Sequence, residues 1–275
     1  MKHSTLFWIL AFVLTLAAGY YQRVTGPSYP LSGNVALDGR TISFKLERSH
    51  GGETHALVQL RTEDESVVGI LEWRRHKTDD LWTRVKMGYA EGVLSSELPH
   101  QPPAGKLQYR VTLQRGEHKL VLPPDEPVII RFRGDVPWRI LIPHVTAMFA
   151  EMLLSTRGGL EYFNKEPKFK LFAYWTLGIL FVGGFVLGPI MQHYAFNVWW
   201  TGWPMGTDLT DNKTAVAFLG WVIATIALHK TRNPKAWVLA AAILLMSIYL
   251  IPHSLLGTEL DYRELDNQRT VQSTE

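Results

Sequence analysis

Hydrophobic positions fall into two regimes along the chain. Residues 24–135 are polar and rich in turns, with short runs in which apolar and polar residues alternate; residues 137–256 are mostly apolar with short polar breaks. In the first regime, Asn34–Leu37 and Thr41–Leu46 flank Asp38-Gly39. A type I′ turn needs positive φ at both central residues, which Asp-Gly tolerates, so this stretch predicts a β-hairpin. Further strands are expected at Ala56–Arg61, Val67–Arg75, Thr83–Gly88, Leu107–Leu113, Lys119–Leu122 and Val128–Arg133. The alternation of Leu107, Tyr109, Val111 and Leu113 with polar neighbours has the period of two that puts one strand face in a core. About seven to nine short strands separated by turn signals predict an antiparallel β-sandwich.

The second regime divides into apolar segments at Pro137–Thr156, Leu171–Gln192, Thr214–Leu228 and Ala236–Leu256, and another, Thr5–Tyr21, precedes the β region. The first segment reads as a retained signal anchor or as a signal peptide cut near Ala17-Ala18-Gly19. The bundle then has five transmembrane helices, or four if the first is removed. Basic residues cluster between the segments, at Arg157, Lys165, Lys168 and Lys170 and again at Lys230, Arg232 and Lys235. The positive-inside rule puts both loops, with Lys2, on the cytoplasmic side. The expected order is residues 1–23 as anchor or signal, 24–135 as an extracytoplasmic β-sandwich, 136–256 as a four-helix transmembrane bundle and 257–275 as a polar, mostly disordered extracytoplasmic tail. This corresponds to an integral protein of a bacterial-type inner membrane.

Composition narrows the chemistry. The formal charge of +3 over 275 residues is too small to argue for nucleic acid. The absence of cysteine excludes disulfides, thiolate zinc sites, iron–sulfur ligation and c-type haem attachment.

The run Leu98-Pro99 to Tyr109-Arg110-Val111, with Trp82 and Met87 upstream, resembles the back half of an immunoglobulin or fibronectin-III domain. The resemblance covers residues 30–134 and implies a recognition or spacer module, with Tyr109 closing a tyrosine corner. Trp73, Trp82 and Tyr109 are expected in the core; a ligand-lining role for the two tryptophans lacks a polar constellation in the sequence.

Candidate chemistry lies at the outer side of the bundle. His144, about seven residues into the second segment and so roughly 10 Å from its end, joins His193, Asp208, Asp211 and His253 as a possible divalent-metal set of imidazoles and carboxylates. His144 with His253 is the best-placed pair for haem b. Glu151 lies seven residues after His144 and shares its helical face, which suggests a proton or ion relay or a carboxyl bonded to a neighbouring helix. In the loop from His193 to Thr214, Trp199, Trp200 and Trp203 suit a membrane interface. Thr210 or Asp211 can cap the following helix, and Lys213 can pair with Asp208 or face a lipid phosphate or an anionic substrate. Gly183-Gly184 and Gly188-Pro189 predict close packing or a kink.

Three functions follow as expectations. The first is a membrane component of an envelope complex, whose sandwich binds a protein partner or polymer while its bundle docks to other membrane subunits. The second is a metal- or haem-dependent redox or hydrolytic subunit using the outer His/Asp set. The third is proton or small-ion translocation through Glu151.

Overall fold

The computed structural model describes residues 2–253, 255 and 257–272. The chain forms two compact units, one from Met1–Pro27 with Val136–Thr258, the other from Ser28–Asp135 with Glu259–Glu275.

Among its described residues the second unit holds eleven strands: β1 (Leu31–Leu37), β2 (Arg40–Leu46), β3 (Ser49–Gly51), β4 (Ala56–Arg61), β5 (Val68–Arg75), β6 (Thr83–Lys86), β7 (Gly88–Ala90), β8 (Val93–Leu98), β9 (Lys106–Arg115), β10 (His118–Leu122) and β11 (Val128–Arg133). They form a two-stranded hairpin β1-β2, a three-stranded sheet β4-β8-β7 and a six-stranded sheet β3-β11-β9-β5-β6 in which β10 also pairs with β9. The hairpin turns as expected, with Leu37 opposite Arg40 and φ of 48° at Asp38 and 75° at Gly39. Pairing is antiparallel except between β3 and β11, which run parallel, so the expected all-antiparallel arrangement is corrected at that edge.

All three sheets feed one core. Ile42 and Leu46 from the hairpin, Leu60 and Leu94 from the three-stranded sheet, and Leu71, Leu107, Val111 and Phe132 from the six-stranded sheet belong to a single buried cluster. Each such side chain stabilises the fold by about 1.5–3 kcal/mol on burial. The period of two in β9 does what its pattern implies, and Leu107, Tyr109, Val111 and Leu113 all lie in the interior. Tyr109 donates to the Glu47 carbonyl at 2.9 Å, sixty-two residues upstream. It ties β9 to the end of β2, and the expected local corner is not what it makes.

The tail is corrected from disorder to structure. A helix, α7 (Tyr262–Gln272), follows an extended run. Leu260 N–H donates to the Ala104 carbonyl at 3.2 Å, and the Tyr262 hydroxyl donates to the Lys106 carbonyl at 3.1 Å. Glu259 accepts from Lys77 at 2.5 Å and also from Lys106, and Arg75 bridges Asp80 and Asp266. The acidic residues that looked like a solvated end are thus ion-pair partners of residues 153 to 191 positions away. Burial alone would raise the Glu259 carboxyl, but the hydrogen bonds from Lys106 and Lys77 outweigh it and hold it at about 2. A depressed carboxylate stabilises docking above its ordinary value of 4.5, and the contribution is lost as pH falls from there through about 2. Hydrogen exchange of the α7 amides, corrected for intrinsic rate, is therefore expected to accelerate between pH 5 and pH 2. Unchanged protection across that window would show that Glu259 does not hold the tail.

The first unit is helical: α1 (Lys2–Thr25), α2 (Trp138–Leu160), a 3-10 turn at Glu161–Phe163, α3 (Phe169–Leu180), a π-helical segment Phe181–Leu187, α4 (Gly188–Phe196), α5 (Leu209–Lys230) and α6 (Pro234–Tyr249). Among the described residues, three helices are long and apolar enough to cross a membrane, Ser4–Thr25, Phe169–Phe196 and Leu209–Lys230, and α6 is a shorter apolar helix. The core combines Met152, Leu180, Trp221, Val238 and Leu245 with a series of alanines. Two glycines allow close approach between neighbouring elements. A Cβ on Gly159 would stand 2.7 Å from the Ala242 Cβ, and one on Gly184 would stand 2.6 Å from Thr214 Cγ2. The first lets α2 meet α6, and the second lets the π segment meet α5.

Several boundaries differ from the hydropathy breaks: α4 runs to Phe196 rather than Gln192, and α6 ends at Tyr249 rather than Leu256. Arg157, expected in a cytoplasmic loop, lies in the last turn of α2 and is 2% exposed, because Glu161 four residues on accepts its guanidinium. Helix α5 begins five residues before the expected apolar start, because Asp208 caps it by accepting from Thr210 N–H at 2.7 Å.

Candidate functional site

Helix α2 carries four buried polar residues of the helical unit, Glu151, Ser155, Thr156 and Arg157. Glu151 is 0% exposed. One of its carboxylate oxygens accepts from the Tyr249 hydroxyl, which also donates to the Met148 carbonyl at 3.3 Å. Gln22 Nε2 donates to the Tyr249 carbonyl at 3.0 Å, so α1, α2 and α6 converge on that tyrosine. The other oxygen, Oε2, is buried without a hydrogen-bond partner among the described residues. The same holds for Ser155 Oγ one turn along α2, Thr15 Oγ1 on α1, Thr176 Oγ1 on α3 and Trp221 Nε1 on α5. A buried polar atom without a partner is costly, and such atoms mark places where a fold accepts water, an ion or a proton.

His144 shares this face of α2, two turns before Glu151. Its Nδ1 donates to the Gly183 carbonyl at 3.0 Å, which puts the proton on Nδ1. The acceptor belongs to the π segment and also receives the Gly188 N–H. The sequence pointed to irregularity at Gly183-Gly184 and Gly188-Pro189, and the structure resolves it as a widened helical turn that turns a backbone carbonyl toward a neighbouring helix.

The loop between α4 and α5 is tied by its own carboxylates. Asp211 accepts from Thr201 N–H at 2.7 Å, and Asp208 accepts from Thr258 N–H at 2.8 Å while capping α5. Gln192 donates to Thr201 Oγ1 at 2.7 Å, and Asn212 accepts from Trp203 N–H at 2.7 Å. Lys213 reaches neither Asp208 nor solvent: it is 8% exposed and donates to the Ile251 carbonyl at 2.9 Å, just past the end of α6. His193 closes α4 and stacks on Trp199, with centroids 4.3 Å apart and planes 6° off parallel. Trp200 stacks on Phe185, whereas Trp199 and Trp203 are 57% and 79% exposed. His253 lies exposed in the turn after α6. Among the described residues no three of His, Asp and Glu gather in a metal-holding group, so the set His144, His193, Asp208, Asp211 and His253 is not brought together. Asp208 and Asp211 are spent on backbone N–H groups, and the expected cap at Thr210 or Asp211 belongs to Asp208.

The β unit carries a third constellation, which hydropathy alone had not located. Glu72 on β5 is 4% exposed and lies between Arg110 of β9 (2.8 Å) and Arg84 of β6 (2.6 Å), with Thr112 donating to it at 3.2 Å. Burial would raise its carboxyl, but the Arg110 hydrogen bond and charge prevail and lower it. The guanidiniums of Arg110 and Arg74 each lie 4.8 Å from the Trp82 ring centroid. Trp82 is therefore not a core residue as expected but the centre of a cationic platform on the sheet face opposite Leu71 and Val111. The cross-strand register puts Glu72 opposite Arg110 on one side and Arg84 on the other. No short-range motif encodes that neighbourhood, although Trp-x-Arg-x-Lys in an alternating strand was a signal for one basic face.

Searches of protein-family models, curated proteins and solved structures return no match to this chain.

Proposed function

We propose that the chain is an integral membrane component of an envelope complex, in which a β-sandwich recognises a partner and the helical unit spans the bilayer and docks to neighbouring membrane subunits. The carrying observation is the platform of Arg74, Arg84 and Arg110 around Trp82 and Glu72: arginines held in place by an aromatic ring and a shared carboxylate are pre-organised for an anionic surface. The bilayer reading is supported by apolar residues turned outward along the helices, such as Ile9, Phe12, Leu219 and Ile223, and by exposed Trp199 and Trp203 at one helix end. The basic loops at Lys165–Lys170 and Lys230–Lys235 support an orientation with the opposite end of the bundle toward the cytoplasm, as in a bacterial inner membrane. A second reading, proton or small-ion passage, is favoured by the enclosed Glu151 with its unpartnered oxygen.

One set of variants separates the two. In the recognition reading, Arg74→Glu/Arg110→Glu or replacement of residues 28–135 by a flexible linker abolishes co-purification of neighbouring subunits, and Glu151→Gln leaves it intact. In the passage reading, Glu151→Gln abolishes proton flux in proteoliposomes while Arg74→Glu/Arg110→Glu leaves flux unchanged. Partner retention after charge reversal and linker replacement would refute the first reading.

A further inference from the structure

We propose that the open edge of the six-stranded sheet, strand β6, receives an extended acidic segment of a protein partner as an added strand; this deepens the recognition reading above and rests on it. Strand β6 is last in the order β3-β11-β9-β5-β6 and pairs with β5 alone. All four of its residues are exposed. Met87 N–H donates to the Gly69 carbonyl at 2.9 Å. In an antiparallel ladder the bonding direction alternates from residue to residue. Odd-numbered residues of this strand therefore bond toward β5, and the N–H and C=O of Arg84 and Lys86 point away from the sheet. They offer the hydrogen-bonding template that strand addition uses.

The side chains define the occupant. By register Arg84 and Lys86 share one sheet face with Arg110 and Arg74; of these four cations Arg84 and Arg110 meet the Glu72 carboxylate, and Arg74 and Arg110 lie over the Trp82 ring. Arg84 and Arg110 each meet Glu72 through Nε, and further guanidinium N–H groups can donate to an added carboxylate. On the alternate positions the strand carries Thr83 and Val85, the latter 39% exposed, and Leu81, 90% exposed, precedes the strand. A strand laid along β6 would thus set acidic side chains over the arginines and apolar ones beside Val85. A second copy of the same edge does not fit, because it would oppose like charges directly. The unit already accepts an acidic stretch of its own chain, where Glu259 and Asp266 meet Lys77, Lys106 and Arg75. Among the described residues, no carboxylate other than Glu72 pairs with Arg74, Arg84 or Arg110.

The test uses the full chain in detergent micelles and a labelled ten-residue peptide of alternating glutamate and valine, read by fluorescence anisotropy. Three comparisons are made: the same peptide N-methylated on alternate amides, the variant Arg84→Glu/Lys86→Glu, and competition by polygalacturonate, which carries carboxylates but no amide ladder. Strand addition is expected to give saturable binding that weakens about tenfold or more on N-methylation and on charge reversal, with polygalacturonate a poor competitor. The N-methyl comparison uses unaltered protein, so it decides the matter even if the double variant does not fold. Absent binding, equal binding of the N-methylated peptide, or unchanged binding by the folded double variant would overturn the proposal. Equal binding with strong polygalacturonate competition would assign the surface to an anionic polysaccharide instead. If the peptide result is negative while replacement of residues 28–135 still releases the partners, the recognition reading stands and this edge is not its site.

Discussion

Replacing Arg157 with methionine is expected to destabilise the helical unit by about 3–5 kcal/mol, the usual cost of stripping one partner from a buried ion pair. Arg157 and Glu161 have side chains 3% and 1% exposed. The guanidinium is enclosed by the rings of Phe7, Trp8 and Phe172 at 5.5, 5.5 and 4.9 Å, so water is excluded from the pair. Glu161 also accepts from Asn164 Nδ2 at 3.1 Å and from Lys168 N–H, which closes the turn between α2 and α3. Losing the arginine would leave a carboxylate enclosed with neutral donors only. Unfolding in mixed micelles measures the loss. The double variant Arg157→Met/Glu161→Gln is expected to recover most of it, since the burial cost of the charge disappears with the charge. A single-variant loss below about 1 kcal/mol would place the pair with solvent-screened surface bridges.

Phe132→Ala is expected to cost the β unit about 3–5 kcal/mol, the range for emptying an aromatic core position. Phe132 is 0% exposed on β11, and the rings of His50 and His100 meet it edge-on at 5.6 and 5.9 Å. Its position joins the six-stranded sheet to the core shared with the other two sheets, and nothing adjacent can collapse into the space without moving β3 or the turn at Ala104, both bonded to β11. Hydrogen exchange of the β9 and β11 amides reads the effect directly. Leu57→Ala on β4, where the side chain is 50% exposed, is the control and is expected to change stability by only about 0.5 kcal/mol. Comparable losses at the two positions would mean that Phe132 does not close the core.

Strand existence was legible wherever alternation ran uninterrupted. The runs at Thr41–Leu46, Ala56–Arg61 and Val128–Arg133 appear as strands within a residue of their expected bounds. Strand β8 was missed. Its Val93-Leu94-Ser95-Ser96-Glu97-Leu98 holds apolar residues only near its ends, and it is a strand because it pairs with both β4 and β7. The short β3 was missed because its order comes from parallel pairing with β11, eighty-two residues away. Helix ends were misplaced where polar side chains extend a helix beyond its apolar stretch, through the Arg157–Glu161 pair at one end of α2 and the Asp208 cap of α5. The candidate site divides in the same way. That Glu151 and His144 share one face follows from helical spacing alone. That Tyr249 bonds Glu151 and Gly183 bonds His144 required helices ninety-eight and thirty-nine residues apart to be packed.

By itself the sequence determined the local terms: the Asp-Gly hairpin, the face of β9, the apolar segments and the polar stripe on α2. These depend on periodicity and backbone preference, which neighbouring residues set. Only the tertiary structure decided how the charged and polar side chains are used. It turned Asp208 and Asp211 into loop ties, placed Lys213 on the end of α6, docked the acidic tail through Lys77, Lys106 and Arg75, and assembled Arg74 and Arg110 around Trp82 and Arg84 and Arg110 around Glu72. The physical reason is that burying a charge is costly unless a partner meets it. Which partner meets it depends on strand register and helix contact, and these arise between segments far apart in the chain.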